Sequence, residues 1–177
     1  MATPTTTPTR SPERRPRRLP PGVRKAVLSV HVIASVALLG EVWVLVVLNT
    51  AAATTDDAGL ALSAYRLMSV LVFAGGIPLS TTALVTGLIL AFGTAWGLLR
   101  HAWVFAKLVL LVAVVLIGMF LFTPERMAAE AAAGPLADAE QWVQTAVVAT
   151  QAVLLVVATA LSVYKPRRTL QAGRGRS

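Results

Sequence analysis

The chain has 177 residues, room for one ordinary domain. Its 16 Lys+Arg and 8 Asp+Glu make 14% charged residues, against roughly 25% in soluble domains. Hydrophobic residues make up 56%, and the mean hydropathy is +0.71. Residues 26–122 carry only Glu41, Asp56, Asp57, Arg66, Arg100 and Lys107 as charges, too few to coat a soluble globule. The composition points to a polytopic membrane protein and away from a soluble enzyme. The absence of Cys excludes disulfides, thiolate metal sites and thiol nucleophiles. The formal charge of +8 does not point to nucleic acid, because the basic residues are concentrated in the two tails with no aromatic-rich basic fold around them.

Residues 1–23 form a basic, Pro-rich tail. Pro recurs at positions 4, 8, 12, 16 and 20, which removes a backbone donor every fourth residue and forbids a helical ladder. The tail is expected to be disordered. A transmembrane domain is expected over residues 24–164. Its first span runs from about Val27 to Asn49, interrupted only by His31 and Glu41. At ~1.5 Å per residue it crosses the ~30 Å hydrocarbon layer. Ala51-Ala52-Ala53 imitates a signal cleavage site, but a signal core is only ~7–15 residues long, so an uncleaved span is expected.

Thr55, Asp56 and Asp57 are available as caps for the next helix. The apolar run from about Leu60 to Phe92 contains Arg66 and the breaker Gly75-Gly76-Ile77-Pro78. Split at the breaker, its first piece would rise only ~22 Å, too short to cross, so one long kinked helix is expected. A tight turn at Gly93–His101 leads to a third span over about 102–122, with Lys107 inside it. Thr123-Pro124-Glu125 begins a short Ala-rich helix that Gly134-Pro135 ends. Asp138-Ala139-Glu140-Gln141 matches a capping box ahead of the fourth span, about 142–164. Residues 165–177 are a second basic tail.

The basic residues set the threading. The N-terminal tail holds seven Lys/Arg, the middle turn Arg100 and the C-terminal tail five, whereas the opposite face holds Arg66 and Arg126. The positive-inside bias therefore places both termini in the cytoplasm and requires an even number of spans. Trp96, Trp103 and Tyr164 then fall near the inner boundary, and Tyr65 and Trp142 near the outer one, as interfacial anchors. The expected fold is all-α, a four-helix transmembrane bundle, N-in and C-in, in the cell membrane. Its partners are the lipid bilayer and, for such short spans, a second copy in a homo-oligomer. A weak echo at an offset of 76 pairs Arg24 with Arg100 and His31 with Lys107, which puts the last two at a similar depth.

Ionisable groups inside a span cost at least ~2.5 kcal/mol near the centre, so each needs a reason. Glu41 is the deepest. Arg66 enters from the same side on the second span, so the two form a candidate intramembrane charge pair that fixes hairpin register. The alternative is that Glu41 is a protonatable carboxylate for ion coupling. Lys107 either snorkels to the headgroups or holds an anionic headgroup or porphyrin carboxylate. His31 is either a hydrogen-bonded buried imidazole or a haem or metal ligand. Met68 and Met119 are expected to be packing residues, not a copper(I) site. Gln144 and Gln151, seven residues apart on one helical face, and the Ser80, Thr81, Thr82 and Thr86 hydroxyls are expected to hydrogen-bond between helices. No Ser/His/Asp set, phosphate loop or catalytic carboxylate pair is present.

Two stretches carry a resemblance. Val30-His31-Val32-Ile33-Ala34 through Leu38-Leu39-Gly40 resembles the first span of small bacterial four-helix membrane proteins. Thr86-Gly87-Leu88, followed by Gly93-Thr94-Ala95-Trp96-Gly97-Leu98-Leu99-Arg100-His101-Ala102-Trp103-Val104-Phe105-Ala106-Lys107-Leu108, resembles a family of uncharacterised, largely actinobacterial integral membrane proteins. These are distantly similar to copper-resistance D-type membrane domains and to the four-helix membrane protoporphyrinogen oxidase. The oxidase resemblance implies haem b or porphyrin handling by His31 and Lys107. This chain departs from the oxidase pattern at Leu38-Leu39 and at Glu41. Three functions are therefore expected alternatives: a structural or accessory membrane protein without catalysis, a haem- or porphyrin-linked redox protein using His31, and a small proton-coupled transporter using Glu41.

Overall fold

The structure, a computed structural model, describes residues 19–93, 102–134 and 136–163. Residues 1–18 and 164–177, with Tyr164, and the middle turn at 94–101, with Trp96, Arg100 and His101, lie outside the described residues, as do the side chains of Ala102–Val104, whereas 21–23 of the tail expected to be disordered are helical. The described residues are 92% helical, without strands. Four helical segments are long and apolar enough to cross a membrane.

Helix α1 spans Pro21–Thr54, longer than expected at both ends. Pro21 occupies its first turn, where a missing N–H costs nothing. Thirty-four residues rise ~51 Å, well beyond the hydrocarbon layer. Asp57 caps α2 (Ala58–Leu71) as anticipated, its Oδ1 accepting from the N–H groups of Gly59 (2.8 Å) and Leu60 (3.2 Å). The second span is one long helix, as the breaker analysis required. It passes from α2 through a π-helical turn, Val72–Gly76, into α3 (Ile77–Gly93). Pro78 supplies no N–H and its ring collides with the carbonyl four residues back. The turn widens by one residue instead, and the Ile77 N–H reaches back to the Val72 carbonyl.

Helix α4 (Ala102–Phe120) is followed by the short α5 (Pro124–Ala133) and by α6 (Asp138–Val163). The Ala137 carbonyl accepts from the N–H groups of Glu140 and Gln141, so α6 starts at Asp138. Asp138 and Glu140 thus lie inside its first turn, favouring its positive dipole end, and do not form the expected box. Arg126 on α5 pairs with Glu130 and with Glu140, tying α5 to the start of α6.

The spans form a ring: α1 packs on α2/α3 and on α6, and α4 closes the ring against α6 and α3. Leu38 and Val42 of α1, Val114 of α4, and Ala152 and Leu155 of α6 fill its middle. Beneath α5 lies a second core of Leu45, Ala52, Ala64, Tyr65, Met68, Phe122, Met127 and Val148. Tyr65 is only 1% exposed, so it is not the interfacial anchor expected of it. Its hydroxyl donates to Gln141 Oε1 at 3.3 Å, and packing under α5 takes the ring out of any boundary. Trp142, at 50%, keeps the exposed character of an anchor. Outside the two cores the helices present Ile33, Val36, Trp43, Phe92, Met119 and Phe120, the surface that lipid would cover.

Candidate functional site

Two of the candidate residues, His31 and Glu41, lie on the seam between α1 and the second span. The two spans run antiparallel, and the register is fixed by two contacts: His31 lies opposite Ala83–Gly87, and Glu41 lies opposite Gly75–Gly76. His31, Leu38, Glu41 and Leu45 lie within one broad face of α1, their spacings of seven, three and four residues returning to the same side of the helix.

Glu41 occupies the middle of the seam. Both carboxyl oxygens are buried and neither makes a hydrogen bond of ordinary geometry, the Gly76 backbone N–H being the donor that comes near the carboxyl. The carboxyl lies against the glycines of the π-helical turn, so closely that a methyl group on Gly76 would stand 2.9 Å from Oε1. On Gly75 it would stand 3.0 Å from Oε2. The two missing side chains are therefore the space the carboxyl occupies.

This placement corrects the expected charge pair. Among the described residues, Arg126 forms ion pairs with Glu130 and Glu140, and none joins Glu41 to Arg66. Arg66 is exposed and lies nine residues before Gly75, ~14 Å along the helix. The hairpin loop is only three residues long (55–57), and that short connection sets a register that carries Arg66 past Glu41 toward the α5 end.

His31 marks the other end of the seam. Its Nδ1 lies 3.0 Å from the Ala83 carbonyl oxygen and 3.1 Å from Thr86 Oγ1. The Thr86 hydroxyl donates to the Thr82 carbonyl at 2.6 Å, so its oxygen faces the imidazole as an acceptor. Two acceptors around one nitrogen place the proton on Nδ1 and leave Nε2 as the basic atom. Gly87 lets the ring approach, since a methyl group there would stand 3.2 Å from Cε1. Lys107 on α4 is close enough to act electrostatically on the same imidazole.

This environment is a helix-to-helix hydrogen bond built around one imidazole. A haem would need an open flat slot at Nε2. Here the Nδ1 and Cε1 edge of the ring is taken up by Ala83, Thr86 and Gly87, and the second His of the chain lies outside the described residues. Among the described residues no three His, Asp or Glu side chains are grouped to hold a metal ion.

The two glutamines act as expected. Gln151 Nε2 donates to the Val114 carbonyl at 3.0 Å, in the space left by Gly118. Gln144 accepts from the Thr123 N–H at 3.2 Å and donates to the Leu121 carbonyl at 3.3 Å, closing the frayed end of α4. Met68 is fully buried and Met119 is 67% exposed, the packing roles assigned to them. Sequence reasoning did not find Asn49, which is 1% exposed and donates to the Leu45 carbonyl and to Met68 Sδ. It also read Gly75 and Gly76 only as a kink. The available signal was the pairing of small residues with an ionisable one across a hairpin, which needs the register to be seen.

No family model matches the chain. Neither a curated protein nor a solved structure matches it.

Proposed function

We propose that the protein is a multi-pass protein of the cell membrane, both termini cytoplasmic, that works as a small proton-coupled carrier through Glu41. The observation that carries this reading is the buried carboxyl without an ion-pair partner or a well-formed hydrogen bond, lodged against the two glycines of a wide helical turn. A carboxylic acid is tolerated there as a neutral group. A carboxylate would be a buried, unpaired charge, whose penalty amounts to several kcal/mol. Losing the proton therefore requires that a cation or water reach Glu41, or that α1 and the π-helical turn separate. Gain and loss of one proton are thereby tied to the packing of two spans, which is the coupling a carrier needs. The structural alternative for Glu41, a register-fixing pair with Arg66, lacks its contact. Orientation rests on the distribution of Lys and Arg.

Dicyclohexylcarbodiimide, which reacts with protonated carboxyls in apolar surroundings, tests the reading on full-length protein in lipid nanodiscs. Glu41 is expected to be the labelled residue by mass spectrometry, with labelling falling as pH rises and absent in Glu41→Gln. Labelling that is absent at every pH, or that persists unchanged in Glu41→Gln, refutes it.

A further inference from the structure

We infer that the species exchanged for the proton at Glu41 is a small monovalent metal cation of the Na⁺ class, which takes the proton's place on the carboxylate. The inference rests on the proposed role of Glu41 and adds the class of its substrate.

The charges around the carboxyl set the sign of the substrate. Among the described residues no cationic side chain forms an ion pair with Glu41. The π-helical turn and α3 carry no ionisable residue. On α2, Tyr65 and Arg66 lie nine to ten residues before Gly75, and on α6 the acidic Asp138 and Glu140 are confined to the first turn. On α4, Lys107 acts on the His31 ring. His31 is itself ten residues from Glu41 along α1, ~15 Å, and Arg24 and Lys25 lie further still. The protein therefore brings no positive charge to a Glu41 carboxylate, and an unpaired carboxylate inside a membrane is strongly disfavoured. Two occupants keep the site neutral: a proton, or one bound monovalent cation.

The interior is also short of donors and not of acceptors. Among the described residues, the buried side-chain atoms without a well-formed hydrogen bond are all oxygens: Glu41 Oε1 and Oε2, Asn49 Oδ1 and Gln151 Oε1. The nitrogens of the two amides are bonded, Asn49 Nδ2 to the Leu45 carbonyl and Met68 Sδ, and Gln151 Nε2 to the Val114 carbonyl. Such an interior suits a cation and repels an anion. The turn against which the carboxyl packs adds backbone acceptors. The Ile77 N–H goes to the Val72 carbonyl and not to that of Phe73, and Pro78 has no N–H to give to Ala74, so two successive carbonyls lose their regular donors. Freed carbonyls at membrane depth are tolerated where protein, water or an ion meets them. Carboxylate and carbonyl oxygens are ligands for hard cations. One carboxylate balances one positive charge, and among the described residues no three His, Asp or Glu side chains are grouped to hold an ion of higher charge. The space at the carboxyl is that of two absent methyl groups, at Gly75 and Gly76, which suits a bare ion and not an organic ammonium. In the exchange the Glu41 O–H bond breaks, the proton leaves, one cation binds the carboxylate, and the net charge of the site stays the same.

The test follows dicyclohexylcarbodiimide labelling of Glu41 in full-length wild-type protein in nanodiscs, with Na⁺ replacing N-methylglucamine at constant chloride and ionic strength. At the pH of half-maximal labelling, Na⁺ is expected to lower the labelling rate at least threefold. Below that pH, the Na⁺ concentration that gives half protection is expected to rise about tenfold per pH unit, because ion and proton compete for one carboxylate. Pro78→Ala, which returns a donor to the Ala74 carbonyl, is expected to raise the half-protecting concentration at least threefold while labelling without Na⁺ persists; an unchanged value overturns the share of the backbone carbonyls in the site. Labelling that is the same in Na⁺ and N-methylglucamine at every pH overturns the cation while still supporting Glu41 as a proton site. Protection that does not move with pH, or that follows the anion when gluconate replaces chloride, overturns it too. Labelling absent in both salts overturns the proton-binding reading as well. Circular dichroism shows whether Pro78→Ala folds, and where it does not, the wild-type measurements decide alone.

Discussion

Replacing Gly76 by Ala probes the contact on which the site is built. A methyl group at this position would stand 2.9 Å from Glu41 Oε1, where ordinary contact begins at 3.4 Å. The deficit of about 0.5 Å must be absorbed by the carboxyl or by the helices. Overpacking of this kind costs ~1–3 kcal/mol. Ala in place of Gly returns ~1 kcal/mol of helix propensity. The obstructing atoms are the far end of a flexible side chain, so the cost falls toward the low end and Gly76→Ala is expected to destabilise by ~0–2 kcal/mol. In a Glu41→Ala background the obstruction is gone, and the same Gly76→Ala substitution is expected to stabilise by ~1 kcal/mol. The coupling between the two sites is then ~1–3 kcal/mol. SDS titration of the protein in dodecyl maltoside, followed by far-UV circular dichroism, measures all four members of the cycle. Effects that add within ~0.5 kcal/mol would refute the contact, and with it the register that brings Glu41 to the π-helical turn.

Arg66→Ala is expected to leave both stability (within ~0.5 kcal/mol) and dicyclohexylcarbodiimide labelling of Glu41 unchanged, because Arg66 is exposed and ~14 Å from the glycines; a large change in the labelling profile would restore the charge pair. Gln151→Ala, which removes the bond to the Val114 carbonyl, is expected to cost ~0.6–1.7 kcal/mol in the same SDS titration, with no change counting against that bond. Nitrogen-15 NMR of labelled His31 at neutral pH is expected to show the proton on Nδ1, and Thr86→Val is expected to weaken that preference without abolishing it, since the Ala83 carbonyl remains. An Nε2–H tautomer in the wild-type protein would contradict the hydrogen bonds at the seam.

Much of the architecture was legible in the residues. Runs of apolar side chains long enough to cross a bilayer leave the backbone one way to satisfy its polar groups, the helix. The missing N–H of Pro78 dictated an interruption, and the side chain of Asp57 dictated where α2 begins. Gln144 and Gln151 were bound to find helix partners because water is not available to them. The site was only half legible. The candidate residues, His31, Glu41 and Lys107, stand out because charge is costly among apolar neighbours. Their partners were not deducible, because a hairpin's register depends on how closely two helices approach, and that depends on the glycines at the crossing. Gly75, Gly76 and Gly87 carry no side chain to signal their role in the sequence. Only the packed structure shows that they receive a carboxyl and an imidazole, that Arg66 is carried past Glu41, and that Tyr65 is drawn under α5.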